Sequence, residues 1–230
     1  MIRESMITLL LCLMAFIGYS QEPIQFSENG KVGFRDPSGK VIIPAKYDAA
    51  GNFSEGLVLV VDHGLRGYVD RHGDLIIPLL YLDAAAFSNG LARVRSGTKY
   101  GFINHRNQAL IPFMYDEAGD FNNGIARVRK GINWGYIDLS GYELISPSYQ
   151  HAGDFSEGLA PVELHDRWGF IDRCGSVVLP FEYEQAHAFD HGNAWVLKDD
   201  TAFYIDKNGK FIRKEEKQTP KTNVAPKESN

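Results

Sequence analysis

The sequence predicts an all-β fold of tandem 34-residue units, each of about three short antiparallel strands, forming an open, twisted, solenoid-like array. A closed propeller-like ring of about six units is the alternative. Three observations point there. The 230 residues are 44% hydrophobic and 23% charged, with 23 Gly, 11 Tyr and 14 Phe but only two Cys, which excludes a disulfide scaffold. Glycines among aromatics favour short strands and tight turns. Above all, Gly-aromatic dipeptides recur every 34 residues, at Gly33-Phe34, Gly67-Tyr68, Gly101-Phe102, Gly135-Tyr136 and Gly169-Phe170. The next step lands on Phe203-Tyr204, where the Gly is lost and the aromatic kept. Tyr47, Tyr81, Tyr115, Tyr149 and Tyr183 keep the same step, as do the series beginning at Ala50, Phe53 and Gly56, with no insertion.

The chain is expected to open on an export signal. Arg3 precedes an apolar run from Met6 to Gly18, 13 residues long. That is short of the roughly 20 needed to span a membrane and fits a signal-peptide core. Gly18 and Ser20 are small residues at positions −3 and −1 of a cleavage before Gln21. Residues 1–20 therefore read as a cleaved signal peptide, 21–30 as a lead-in, 31–212 as the repeat domain and 213–230 as a disordered polar tail. A buried N-terminal helix competes, but nothing amphipathic follows it. A lipoprotein reading would use Cys12, preceded by Leu11 where a small residue is needed. Cleavage leaves Cys174 without an intramolecular partner and leaves no membrane span. The expected location is periplasmic, cell-surface-associated or secreted.

Within each unit the Gly-aromatic strand comes first. A turn of the form Asp-x-x-Gly follows, as in Asp70–Gly73, Asp138–Gly141 and Asp172–Gly175. Asp caps the turn and Gly supplies positive φ; Asn107 takes the Gly place in the third unit. The second strand is expected to end at Pro44, Pro78, Pro112 or Pro180, since proline cannot donate to a ladder. Pro147 sits one place late, predicting an irregularity there. The segment Tyr-Asp-x-Ala-x-x-Phe-Ser-Glu-Gly crosses over to an alternating third strand, as in Leu91–Arg95 and Ile125–Arg129. The count is 17 strands, with helix confined to the signal segment and at most a turn in the crossover.

These features resemble the WG repeats, also called KWG repeats, of bacterial proteins. The matching residues are Trp134-Gly135-Tyr136-Ile137-Asp138 and Trp168-Gly169-Phe170-Ile171-Asp172, with Ile-Pro, Tyr-Asp-x-Ala and Phe-Ser-Glu-Gly-Leu-Ala after them. The resemblance covers residues 30 to 212. It departs at the eponymous Trp, replaced by Val32, Arg66, Tyr100 and Ala202 in other units. It implies a β-repeat interaction module without an established common enzymatic activity.

No residue pattern calls for catalysis, a metal or a cofactor. The seven His show no HExxH or other ligand spacing. Cys174 lies in a hairpin turn with nothing to activate it. The recurring Asp138, Asp172 and Asp206 stand where turn caps belong, and no nucleophile-elbow or phosphate-cradling motif is present. A net charge of −5 gives no support for nucleic-acid or anionic-membrane binding. The tail carries five basic and three acidic residues, no aromatic and one Val, so it reads as solvated or, alternatively, as a docking peptide.

Two local features can bind. Arg93 and Arg95 repeat 34 residues on as Arg127 and Arg129, followed by Lys130. Alternation puts the four arginines on one face of adjacent third strands, where they either pair with Asp120 or nearby carboxylates or take an anionic partner. Aromatics in strict register read as core, but Trp195, replacing the equivalent of Arg127, is the expected exposed platform. The functional expectation is a non-catalytic exported scaffold binding an envelope or extracellular protein. A cell-envelope carbohydrate-binding module that takes polysaccharide is the alternative.

Overall fold

The computed structural model describes residues 22–214; the expected signal segment and the tail beyond Lys214 lie outside the described residues. Its 23 strands form six small antiparallel sheets, with no helix among the described residues. The chain groups into two compact units, residues up to Gly97 with Phe102–Ala109, and Thr98–Gly101 with Leu110 onward. Each is described by itself.

The first sheet is β1 (Ile24–Glu28), β2 (Lys31–Arg35) and β3 (Val41–Tyr47). The second is β4 (Ala49–Ser54), β5 (Leu57–Asp62), β6 (Leu65–Asp70) and β7 (Leu75–Tyr81). The third is β8 (Asp83–Ala84), β9 (Ala92–Ser96), β10 (Lys99–Ile103) and β11 (Ala109–Tyr115). The fourth is β12 (Glu117–Ala118), β13 (Ile125–Lys130), β14 (Asn133–Asp138) and β15 (Glu143–Tyr149). The fifth is β16 (His151–Ala152), β17 (Leu159–Leu164), β18 (Arg167–Asp172) and β19 (Val177–Tyr183). The sixth is β20 (Gln185–Ala186), β21 (Ala194–Lys198), β22 (Thr201–Ile205) and β23 (Phe211–Lys214).

Five of these sheets therefore have four strands where three per unit were expected. The extra strand is the crossover itself. Its backbone N–H groups find acceptors on the neighbouring strand: Gln150 N–H donates to the Glu163 carbonyl at 2.9 Å and Gly153 N–H to the Pro161 carbonyl at 2.8 Å. Buried backbone donors need partners, and a crossover that runs along a strand edge acquires them as a ladder. The sixth unexpected strand is β1, inside the stretch read as a lead-in, which pairs with β2 from Ile24↔Arg35 to Glu28↔Lys31. At the other end, β23 runs to Lys214, two residues past the expected end of the domain.

The turns follow the sequence reading. Asp138 Oδ1 accepts from the N–H groups of Ser140 and Tyr142, at 2.9 and 3.0 Å, while Gly141 adopts φ +84°. The Ser140 hydroxyl adds a third bond and, with those amides, holds the Asp138 carboxyl below the ordinary Asp range. Asn107, in place of Gly, adopts φ +60°.

The prolines correct the sequence reading. None ends its strand; β3, β7, β11, β15 and β19 each run on through Pro to the terminal Tyr. The ladder instead skips. In the fourth sheet Tyr136 faces Ile145 but Trp134 faces Tyr149, so the outer strand carries surplus residues at a bulge. Pro tolerates that place because a bulged N–H is released from the ladder. Pro147 adds no irregularity of its own, since the fifth sheet, with Pro180, pairs Phe170 with Leu179 and Trp168 with Tyr183 in the same way. The bulge also explains the glycine of the dipeptide. A Cβ on Gly135 would lie 2.4 Å from the Ile145 carbonyl oxygen and 2.6 Å from the Pro147 nitrogen, so the bulge rests on the bare glycine.

The core is built from the lattice aromatics. Tyr47, Tyr81, Tyr115, Tyr149 and Tyr183 are buried, with Phe87, Phe121, Phe155 and Phe189. The aromatic of one sheet meets the crossover Phe of the next: Phe34 with Phe53 at 5.3 Å, Tyr136 with Phe155 at 4.7 Å, Phe170 with Phe189 at 5.0 Å between ring centroids. Edge-on and tilted packing suits the ring quadrupoles. The Tyr136 hydroxyl donates to the Gly153 carbonyl at 2.8 Å, and burial pushes its pKa well up. The second strand of each hairpin buries less than its apolar look implied: in β19 only Leu179 and Tyr183 are buried, and Val177 and Val178 stand in solvent.

The Phe-Ser-Glu-Gly segment ties sheets together. Ser156 Oγ donates to the Phe189 carbonyl at 2.6 Å, and Gly192 N–H donates to the Glu157 carboxylate at 3.1 Å. The same bonds run from Ser54 to Phe87 and from Gly90 to Glu55 in the first unit.

Candidate interaction cleft

β13 and β14 form a hairpin whose tip is Gly131-Ile132. Its register sets Arg127 opposite Tyr136, Arg129 opposite Trp134 and Lys130 opposite Asn133. The basic residues of this hairpin therefore flank Trp134, which the hairpin buries. The Arg127 and Arg129 guanidinium carbons lie 5.2 and 6.0 Å from its ring centroid. Each cation is also paired. Arg127 Nε sits 2.9 Å from Asp154 Oδ1 and its Nη1 donates to the Ala152 carbonyl at 2.7 Å. Arg129 pairs with Glu117 and donates to the Gly131 carbonyl at 2.9 Å. Lys130 pairs with Glu143, a bond that holds its ammonium pKa above the ordinary value. The carboxylate that meets Arg127 is Asp154, one repeat beyond the expected Asp120.

Arg93 and Arg95 lie on β9 in the other compact unit. Arg93 Nη1 contacts Asp83 Oδ2 at 2.9 Å, with its side chain 17% exposed. So Arg93, Arg127, Arg129 and Lys130 have acidic neighbours within the fold.

What remains open is the space beside them. A cleft of about 440 Å³ is lined by Glu117, Arg129, Ile132, Trp134, Gln150 and His151. Ile132 stands on it 83% exposed. The sequence reading passed over this residue, although the lattice marks it: the equivalent hairpin-tip positions hold Gly64, Thr98, Asp166 and Asp200.

Trp195 lies on β21 and is half-buried rather than openly exposed. His187 tilts over it with ring centroids 4.6 Å apart. Cys174 is a free, exposed thiol whose N–H donates to Asp172 Oδ1 at 2.9 Å. Among the described residues no three His, Cys, Asp or Glu side chains come close enough to hold a metal ion, and no helix is long and apolar enough to cross a membrane.

Comparison with known proteins decides the family. A profile described as a WG containing repeat matches residues 33–65, 67–100, 100–131, 134–168 and 168–201. The chain belongs to the WG-repeat family. No curated protein gives a significant match. Among solved structures, this WG-repeat chain is similar in fold to the propeller-like Hsv2p of Kluyveromyces lactis, with a TM-score of 0.51 and 12% identity over 82% of this chain and 72% of that one. A eukaryotic initiation factor is similar at TM-score 0.54 and 12% identity, over 86% of this chain and 63% of the other. At such identities the likeness concerns fold alone.

Proposed function

We propose that this WG-repeat chain is an exported, non-catalytic scaffold that docks a protein of the cell envelope or extracellular space at the β13–β14 cleft. The observation that carries the reading is Ile132, an aliphatic side chain held in water on the rim of a cleft floored by Trp134 and Arg129. Exposed apolar groups beside Trp and Arg match the composition of binding hot spots. The cleft's Arg129 is already neutralised by Glu117, which favours a partner that brings an apolar side chain over one that brings a run of acid. The non-catalytic part rests on the recurring carboxylates, which cap turns and meet cations. Export rests on the signal-like run from Met6 to Gly18 and the small residues before Gln21.

The test is affinity capture from envelope extract with residues 21–230 as bait, in parallel with the Ile132→Asp variant. Loss of the captured protein with an unchanged melting temperature supports the reading. Equal capture by both baits overturns it.

A further inference from the structure

The sixth sheet breaks the repeat at four positions, three of which converge on one place. Position 187 is small in every other crossover, as Gly51, Ala85, Gly119 and Gly153, and is His here. There is a steric reason for the small residue: a Cβ on Gly153 would lie 2.7 Å from Pro161 Cγ, and one on Gly119 would lie 2.9 Å from Arg127 Cγ. The opposing position is Leu59, Arg93, Arg127 or Pro161 elsewhere and Trp195 here. The outer strand position filled by buried Ile43, Ile77, Ile111, Ile145 and Leu179 becomes Arg213. The Gly of the dipeptide becomes Phe203. A chain that follows its lattice so closely concentrates its departures where something other than folding is selected.

His187, Trp195 and Arg213 meet in a shallow pocket of about 420 Å³, lined also by Asp190, His191, Asn193 and Tyr204. Trp195 and Tyr204 are cross-strand neighbours, and His187 tilts onto the indole at 31°. The Arg213 guanidinium carbon lies 4.1 Å from the Tyr204 ring centroid, and among the described residues it has no carboxylate partner. The pocket therefore offers aromatic faces, a cation stacked on Tyr204, and short polar groups at its edge.

We propose that this pocket is a binding site for an acidic saccharide, a pyranose ring that carries a carboxylate. The apolar face of a pyranose stacks on aromatic planes, as Tyr and Trp platforms allow. A planar guanidinium matches a carboxylate through two parallel bonds. Asp190 and Asn193 supply an acceptor and a donor for ring hydroxyls. At the pocket edge His191 Nδ1 sits 2.9 Å from Asp190 Oδ1. The volume accommodates one or two rings. The site is separate from the Ile132 cleft in residues and in chemistry, so it stands whether or not that cleft docks a protein.

The test titrates residues 21–230 with a trigalacturonate and, separately, with a neutral glucose trisaccharide, read by intrinsic tryptophan fluorescence and calorimetry. The expected result is saturable binding of the acidic trisaccharide, weakened about tenfold in Trp195→Ala, as for loss of an aromatic anchor. Arg213→Gln, on an exposed terminal strand, should keep the fold and abolish the preference for the acidic sugar. Should Trp195→Ala unfold, His187→Ala provides the same test of the platform. No saturable binding, binding unchanged in the platform variants, or equal affinity for both sugars overturns the proposal.

Discussion

The fifth and sixth sheets share one lattice and solve the same packing problem differently. In the fifth, bare Gly169 underlies the Pro180 bulge, and Trp168 pairs past it with Tyr183. In the sixth the glycine is Phe203, the proline position is Lys214, and Phe203 pairs directly with Lys214. The two changes go together. A side chain at that place requires that the bulge be absent, and a bulge requires that the side chain be absent. The lesson is that the Gly of the repeat is fixed by its partner strand and not by its own backbone angles, as Gly169 lies outside the positive-φ set.

That coupling and the bonds around it can be tested in descending order of effect. The largest effect is expected at Gly135, where an added Cβ meets two backbone atoms inside 2.7 Å. Gly135→Ala should cost about 3 kcal/mol in urea unfolding, at the upper end of overpacking. Gly169→Ala, whose Cβ would meet Leu179 O at 2.8 Å and Phe181 Cδ1 at 3.0 Å, should cost about 2 kcal/mol. The reverse change, Phe203→Gly, should also destabilise, because no bulge fills the vacated space; a gain in stability would break the coupling argument. Next comes Tyr136→Phe, which leaves the Gly153 carbonyl without its donor and should cost about 1 kcal/mol, while the fifth sheet already uses Phe at that place.

Smaller still is Glu157→Gln. Lys207 first, then the Gly192 N–H, lowers the folded pKa of Glu157. A lowered carboxyl pKa gives stability that is present above the unfolded value, about 4.3, and is lost as pH falls through the folded value. The difference in melting temperature between wild type and Glu157→Gln should thus be present at pH 7 and fade as pH falls through the lowered folded value. The smallest effect is Cys174→Ser, expected within about 0.5 kcal/mol since the exposed thiol leaves its turn bonds intact.

The fold was largely legible because a 34-residue lattice exposes every structural constraint several times over. Asp138 and Gly141 could be placed in their turn from residue type alone. The crossover strand was hidden because backbone pairing there spans only two residues, as at His151–Ala152, and leaves no alternation to read. Proline was read as a stop because the bulge that accommodates it lies in the register between two strands, which neither strand reveals by itself. The site was less legible. The arginines drew attention as repeated charges, yet Asp83, Asp154 and Glu117 meet Arg93, Arg127 and Arg129 through the fold. Ile132 and Arg213 carry more, and their signal was a mismatch against the lattice, polar tips against Ile and buried aliphatics against Arg.

The proline bulge has a consequence for crowding. Every outer strand from β3 to β19 presents a sheet edge to its surroundings, and each is kinked and carries a residue that cannot donate a hydrogen bond. Such an edge is a poor template for a neighbouring molecule's strand. The repeat can therefore be duplicated along a gene without multiplying sites of aggregation, because each new copy brings its own block. β23, without proline, carries Arg213 and Lys214, so charge guards the edge that the bulge leaves unprotected.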